Sequence, residues 1–324
     1  MVSVIIPNYN HSRFLRQRID SVLSQSYTNI EVILLDDCSS DNSIDIIESY
    51  RNHPKVSQIV RNKQNSGSVF KQWKKGIELA KGEYIWIAES DDFAEKSFLS
   101  EILQVIEADN KIGLAYCNSK VVDENNQSTG TFKTLNDLRK YMFNTSLWNN
   151  SFIIDGSVLL DKYLSKRCVI NNASAVVFKK SALDTLAINI DEYKYAGDWA
   201  VYVDLATKFK IAFLNEELSF YRDHKGNASK NAHINLAINF ENYSIISNYY
   251  DSLKTKREKS KYVYSVRRAF LHVLITSDER EKIFSKYKSR NKQLLMRSLK
   301  YIPQVFLETY FSLLLQKVSS ALKK

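Results

Sequence analysis

Short runs of β-branched and aromatic residues alternate, over the first third of the chain, with longer stretches whose apolar residues return every three or four positions. The runs 2–6, 31–35, 56–60, 84–88 and 112–116 are too apolar to leave one face for water, which predicts buried strands. Between them, residues 14–26, 42–52, 70–80 and 97–107 carry the helical period. A parallel connection needs a crossover of helical length, so this alternation predicts an α/β fold: a mainly parallel sheet flanked by helices.

From about Lys120 to Gly226 the alternation loosens, with a helix expected after Asp198 and strand-like runs at 211–214 and 218–221. Beyond residue 230 only helical patterns remain. Leu307, Phe311, Leu314, Val318 and Leu322 recur at spacings of four and three, and Pro303 suits the start of that helix. Glu308, Gln316 and Lys317 interrupt the run of about 20 apolar residues that a spanning helix needs. The pattern fits a helix lying on a membrane and one docked on the protein's own body equally well. Three regions are expected: two halves of one α/β domain, 1–118 and 119–230, and a basic helical region, 231–324.

Charge sharpens this division. Residues 231–324 hold 18 Lys+Arg and 7 Asp+Glu, a net +11, whereas residues 1–230 are close to neutral. The basic excess therefore belongs to an appendage, and an anionic partner is expected for it. With 44% hydrophobic residues, 8 Gly and 3 Pro, the 324-residue chain is neither disordered nor fibrous. Cys38, Cys117 and Cys168 are an odd set without metal-ligand spacing, which predicts a reducing, cytoplasmic setting. The opening MVSVIIPNYN lacks the basic stretch and cleavage site of a signal peptide, so none is expected.

The residues with chemical potential stand at the carboxyl ends of the expected strands, where open parallel sheets collect ligands. They are Pro7-Asn8-Tyr9-Asn10, the run Asp36-Asp37-Cys38-Ser39-Ser40-Asp41, and Glu89-Ser90-Asp91-Asp92. Asp41 and Ser97 read as helix caps. Asp36, Asp37 and Asp91 read as functional, because adjoining carboxylates after buried strands are costly without a partner. Carboxylate-only ligation would suit a hard ion, Mg²⁺ or Mn²⁺. Neither GxGxxG nor GxxxxGK[ST] follows the first strand, which disfavours dehydrogenases and P-loop enzymes. Trp73 and Trp86 read as core and Cys38 as a small buried residue, leaving Trp199 as the one tryptophan considered for substrate contact.

The ordered set VSVIIPNYN, ILLDDCSSD, NSG followed by GIELAKGEYIWIAESDD, then YAGDW and YRDHKGNAS, strongly resembles family 2 glycosyltransferases. The resemblance covers about residues 1–230 and implies the Rossmann-like GT-A fold and inverting transfer from a nucleotide-sugar, UDP favoured. It implies that Pro7, Asn8, Tyr9, Asp37 and Ser39 line the nucleoside pocket, with Asp37 bonding the base. Asn65 and Gly67 then belong to the loop beneath the nucleotide, beside Glu89 and Ser90; Glu89 stands where the family commonly has Asp. Asp91 corresponds to the metal ligand with Asp92 flanking it, and His224 to a histidine near the metal or diphosphate. Arg222 is an alternative diphosphate contact, and residues 171–174 resemble the stretch that shapes the acceptor side.

Asp198 occupies the position of the catalytic base, which takes the acceptor hydroxyl's proton. Its plainer role is to sit at the amino end of a helix, and both can coexist. A divalent ion, Mn²⁺ or Mg²⁺, would neutralise the leaving diphosphate. The basic region and final amphipathic helix suit an anionic membrane, so a lipid-linked surface glycan acceptor is expected, with polysaccharide biosynthesis at the inner face of the cell membrane as the setting. The QxxRW motif of processive synthases is missing, which favours single addition. Two other readings are a catalytically silent nucleotide-sugar-binding protein and nucleic-acid binding by the basic region. The second is not expected, because aromatics there follow helical apolar spacing.

Overall fold

The computed structural model describes residues 1–128 and 132–227, with Ile238, Glu241, Asn242, Ile245 and Tyr249 beyond them. The amphipathic stretch 303–322 and nearly all of the basic region lie outside the described residues. Met1–Asn227 forms one compact unit. Its strands are β1 (Val2–Asn8), β2 (Ile30–Asp36), β3 (Val56–Arg61), β4 (Tyr84–Ile87), β5 (Phe93–Ala94), β6 (Ile112–Val122), β7 (Phe152–Asp155), β8 (Val176–Lys179) and β9 (Lys210–Arg222). Its α-helices are α1 (Ser12–Leu23), α2 (Ser43–Glu48), α3 (Val69–Leu79), α4 (Phe98–Glu107), α5 (Leu135–Phe143), α6 (Gly156–Leu159), α7 (Lys180–Leu183) and α8 (Gly197–Ala206).

All nine strands join one sheet in the order β3-β2-β1-β4-β8-β6-β9-β5, with β7 also paired to β9. The first four are parallel, as the alternation predicts. Past β4 the sheet is mixed: β8 runs antiparallel to both β4 and β6, β9 is parallel to β6, and β5 and β7 are antiparallel to β9. The expectation of a mainly parallel sheet therefore holds for one half. The strands that break it, β5, β7 and β8, have two to four residues, too few to show a period.

Burial follows position. Strands β1, β2 and β4 are buried along their whole length. The edge strand β3 is half-buried, which corrects the expectation that it has no wetted face. One core packs Val4, Ile6, Val32, Leu34 and Trp86 against Leu15 and Ile19 of α1 and Phe98 and Ile102 of α4. On the opposite face Gly76 of α3 lets its helix rest on Ile5, where a Cβ would stand 2.3 Å from Cγ2. Helix α8 is apolar nearly all round and correspondingly sunk in the protein, with Trp199, Val201, Tyr202 and Leu205 buried.

Strand β9 is continuous where two runs were expected. Its pairing with β6 shifts register around Cys117–Ser119, and Asn215, Glu216 and Glu217 are exposed between two buried stretches. Asp41 does cap, and for two helices: its carboxylate accepts from Ser12 N (2.9 Å) and Ser43 N (3.0 Å). Ser97 stands at the N-cap of α4 but makes no capping bond there; Leu99 N donates to Gln25 Oε1 (2.9 Å) instead. Among the described residues no helix is long and apolar enough to cross a membrane.

Candidate active site

Pro7 lies inside a central strand, where its missing N–H needs an explanation. Ile5 O accepts from Ala88 N, so residue 7 faces the same neighbour two positions on, past the last β1–β4 pair. No ladder bond is lost there. The next residue, Asn8, is buried and donates to Asp36 Oδ1 (3.0 Å) and Ser39 Oγ (3.1 Å). Asn10, in the left-handed region at φ 56°, holds the facing loop through Ser40 N (2.8 Å). Tyr9 between them is 47% exposed, a ring presented at the loop surface.

Asp37 is 4% exposed, and both its oxygens are engaged. Asn62 Nδ2 (2.6 Å), Ser66 N (2.9 Å), Ser66 Oγ (2.7 Å) and Gln72 Nε2 (2.9 Å) donate to it. Asn65 Nδ2 donates to its backbone oxygen (3.2 Å), while Asn65 Oδ1 accepts from the N–H of Gly67, whose φ is 74°. The expectation that Asp36 and Asp37 need a cation or ligand as partner is thus corrected: loop donors already satisfy them. Cys38 is half-buried with φ 64°, a turn residue rather than a core one. The three cysteines are free thiols.

The Glu89–Asp92 loop sits over a buried cation. Arg18 of α1 is fully buried, donates through Nε to Glu89 O (2.8 Å), and leaves both terminal nitrogens without a hydrogen bond. Burial lowers its pKa to about 10, against the opposing pull of Asp92, Asp91 and Glu89, so it remains a cation at neutral pH. Burial, with the charge of Asp91, pushes Glu89 up to about 8, although Trp73 Nε1 donates to its Oε1 (2.7 Å). The same two causes push Asp92 to about 7; its Oδ1 accepts from Arg222 N (2.9 Å). Burial would raise Asp91 too, but the hydrogen bond from His224 and the nearby imidazoles of His11 and His224 hold it below its ordinary value.

Asp91 Oδ2 lies 3.0 Å from His224 Nε2. Gly226 N donates to His224 Nδ1 (3.1 Å), which places the hydrogen of the neutral ring on Nε2, donated to Asp91. A third side chain, His11, joins them: one ligand atom of each of His11, Asp91 and His224 falls within 4.8 Å of the others. Two imidazoles and a carboxylate are a donor set that fits a divalent transition ion. Asp91 and His224, the two residues expected at the metal, thus lie together, with His11 beside them.

Helix α3 ties these loops to Asp198. Its first two turns carry Gln72 to Asp37, Trp73 to Glu89, and Phe70 against Gly197, where a Cβ would stand 2.6 Å from the Phe70 ring. Ser68 caps α3 and donates to Tyr193 O (2.7 Å), drawing in the segment before Asp198. Asp198 lies in the first turn of α8, half-buried, its Oδ1 accepting from Trp199 N (2.7 Å). Burial raises the Tyr202 phenol well above its ordinary value, and the charges of Asp198 and Glu89 add to it.

Two of the expected contacts point elsewhere. Arg222 is 1% exposed; Nε donates to Asp91 O (2.7 Å), and the terminal nitrogens donate to Asp123 O (3.0 Å) and Gln17 Oε1 (2.9 Å). It lies over Phe14 at 4.6 Å and clamps the acidic loop, with three of its five N–H hydrogens already engaged. Trp199 is buried with its indole N–H on Leu164 O (2.9 Å), so it is core. Ser90 is buried with its hydroxyl 2.8 Å from His11 Nδ1. From residues 171–174, Ser174 Oγ accepts from Glu89 N (3.1 Å) and Asn172 bridges Ser119 and Ser219. His11, Arg18 and Gln72 escape the sequence reading. His11 had a signal, since it directly follows the first polar strand end; Arg18 and Gln72 look like ordinary helix residues.

The family model described as Glycosyl transferase family 2 matches residues 3–168. An uncharacterised glycosyltransferase of Nostoc sp. is 28% identical over 240 residues, which are 70% of this chain and 66% of that relative. Among solved structures, Staphylococcus aureus TarS in complex with UDP superposes with a TM-score of 0.60 at 18% identity, over 86% of this chain and 72% of that one. A Pyrobaculum calidifontis mannosyltransferase with GDP-Man and Mn²⁺ gives 0.59 at 13% identity, over 96% and 87%.

Proposed function

This chain belongs to glycosyl transferase family 2, and from that premise we propose that it moves a sugar, with inversion, from a UDP-linked donor to a hydroxyl of a lipid-linked glycan. The fold is the GT-A α/β arrangement that the two solved enzymes share. The observation that carries the proposal is the convergence on α3 of the Asp37 loop, the Glu89–Asp92 loop and the turn bearing Asp198. Asn8, Tyr9, Asp37, Ser39, Asn65 and Gly67 bind the nucleoside, with the exposed Tyr9 ring as the face a base can meet. Asp37 would bond a base only by exchanging one of its loop donors.

Asp91 and His224 would hold the divalent cation, His224 by giving up the Nε2 hydrogen it now donates to Asp91. When bound, that ion supplies positive charge for the departing diphosphate. Asp198 takes the proton of the acceptor hydroxyl as the acceptor oxygen bonds to the anomeric carbon. The bond from that carbon to the diphosphate oxygen breaks, and the nucleoside diphosphate leaves on the opposite face. Trp199 N–H fixes one Asp198 oxygen at the amino end of α8. Residues 1–118 serve the donor and 119–230 the acceptor, and the net charge of +11 over 231–324 supports attachment to an anionic inner membrane face.

The test is donor turnover across UDP-, dTDP- and GDP-sugars with Mn²⁺, comparing the native chain with Asp198→Asn. The variant is expected to lose about 100- to 10,000-fold in kcat with donor Kd nearly unchanged. Equal turnover by both would remove Asp198 as the base, and binding without turnover would favour a silent binding protein.

A further inference from the structure

We propose that His11 is a third protein ligand, so that His11, Asp91 and His224 form a two-imidazole, one-carboxylate site that takes Mn²⁺ or Co²⁺ in preference to Mg²⁺. The ligand atoms of the three residues lie within 4.8 Å of one another. They come from three distant parts of the chain, the turn after β1, the loop between β4 and β5 and the turn after β9, which only the sheet brings together.

Both rings are held in place. His11 and His224 meet edge to face with centroids 5.7 Å apart, and His224 packs on Phe14 at 5.2 Å. Phe14 is in turn pinned by the Arg222 guanidinium. His11 occupies the N-cap of α1 yet makes no capping bond, so local helix chemistry does not account for its side chain. Its Nδ1 lies 2.8 Å from Ser90 Oγ instead. That hydroxyl can accept from Nδ1–H, which leaves the Nε2 lone pair of a neutral ring for an ion, and a second partner that fixes the tautomer in this way is usual at metal-bound histidines. His224 must surrender a hydrogen to ligate; His11 need not.

The donor set decides the ion. Mg²⁺ demands oxygen ligands and retains its waters, whereas imidazole suits later divalent ions, with affinity rising from Mn²⁺ to Co²⁺. The inference deepens the transferase reading and rests on it for the purpose of the ion; the ligand set rests on the geometry alone.

The experiment titrates Mn²⁺ into the full chain, without nucleotide and again with UDP. Loss of the free-ion EPR signal measures affinity, Mg²⁺ serves as competitor, and pulsed EPR counts imidazole nitrogens. The native chain is expected to show two nitrogen couplings. His11→Gln should show one and bind Mn²⁺ at least roughly tenfold more weakly. His11→Asp restores an oxygen ligand, so binding should recover while the preference for Mn²⁺ over Mg²⁺ falls. Two couplings in His11→Gln, unchanged affinity, or a native chain that binds no Mn²⁺ or holds it no tighter than Mg²⁺ would overturn the proposal. If His11→Gln fails to fold, as judged by its unfolding midpoint, the ion preference of His11→Asp decides. Ion binding as described with no donor turnover would sink the transferase reading and leave the site standing; turnover without imidazole couplings would do the reverse.

Discussion

Asp37 stands at the junction of two roles. Its carboxylate is the acceptor for Asn62, Ser66 and Gln72, three residues from a loop and the helix that follows it. Asp37→Ala would strand those donors in a buried setting, and each unsatisfied group costs about 1–3 kcal/mol. The variant should therefore unfold at a distinctly lower urea concentration even without nucleotide. An unchanged midpoint would mean that the loop ties contribute nothing and that the carboxylate serves a ligand alone. Two residues away, Ser39 repeats the pattern, accepting from Asn8 and from Asn10 N while its own N–H bonds Asp36 Oδ2. At this scale the polar residues of the nucleoside motif are also the fasteners of the loops that carry them.

Helix α3 shows what one element does for a site. It offers no acid of its own to the cluster, yet Phe70, Gln72 and Trp73 touch all three motif-bearing turns. Its spacing explains the arrangement: residues 70 and 73 lie on one face and 72 beside it, so about one turn addresses three neighbours. A tight fit lies at Gly197, whose missing Cβ lets the Asp198 turn approach Phe70. Gly197→Ala is expected to overpack this contact by about 1–3 kcal/mol, lowering Tm. Because the displaced turn carries Asp198, kcat should fall more than donor affinity. A variant with native Tm and native kcat would show that the turn is not set by this contact.

The charge of the whole chain is divided as its chemistry is, with a near-neutral body through residue 230 and a net +11 after it. Attraction to a negatively charged bilayer follows from such a segment and is weakened by salt. The full chain should co-sediment with phosphatidylglycerol vesicles and not with phosphatidylcholine vesicles. The bound fraction should fall as salt rises from about 0.1 M to about 1 M, where the screening length contracts from about 10 Å to about 3 Å. Binding to neutral vesicles that salt does not alter would assign attachment to apolar contacts instead.

The alternation of apolar runs and helical periods by itself determined β1 to β4, their parallel pairing and the strand ends beside which Asn8, Asp37 and Asp91 stand, because apolar run length and crossover length are local properties of the chain. Motif order put Asp198 and His224 among the expected site residues. Tertiary structure alone decided that Arg222 and Trp199 turn inward, that Arg18 lies beneath the acidic loop, and that His11 meets His224 across the sheet's end. Those outcomes depend on which distant side chain satisfies each polar group, and that pairing exists only once β1, β4 and β9 are laid into one sheet.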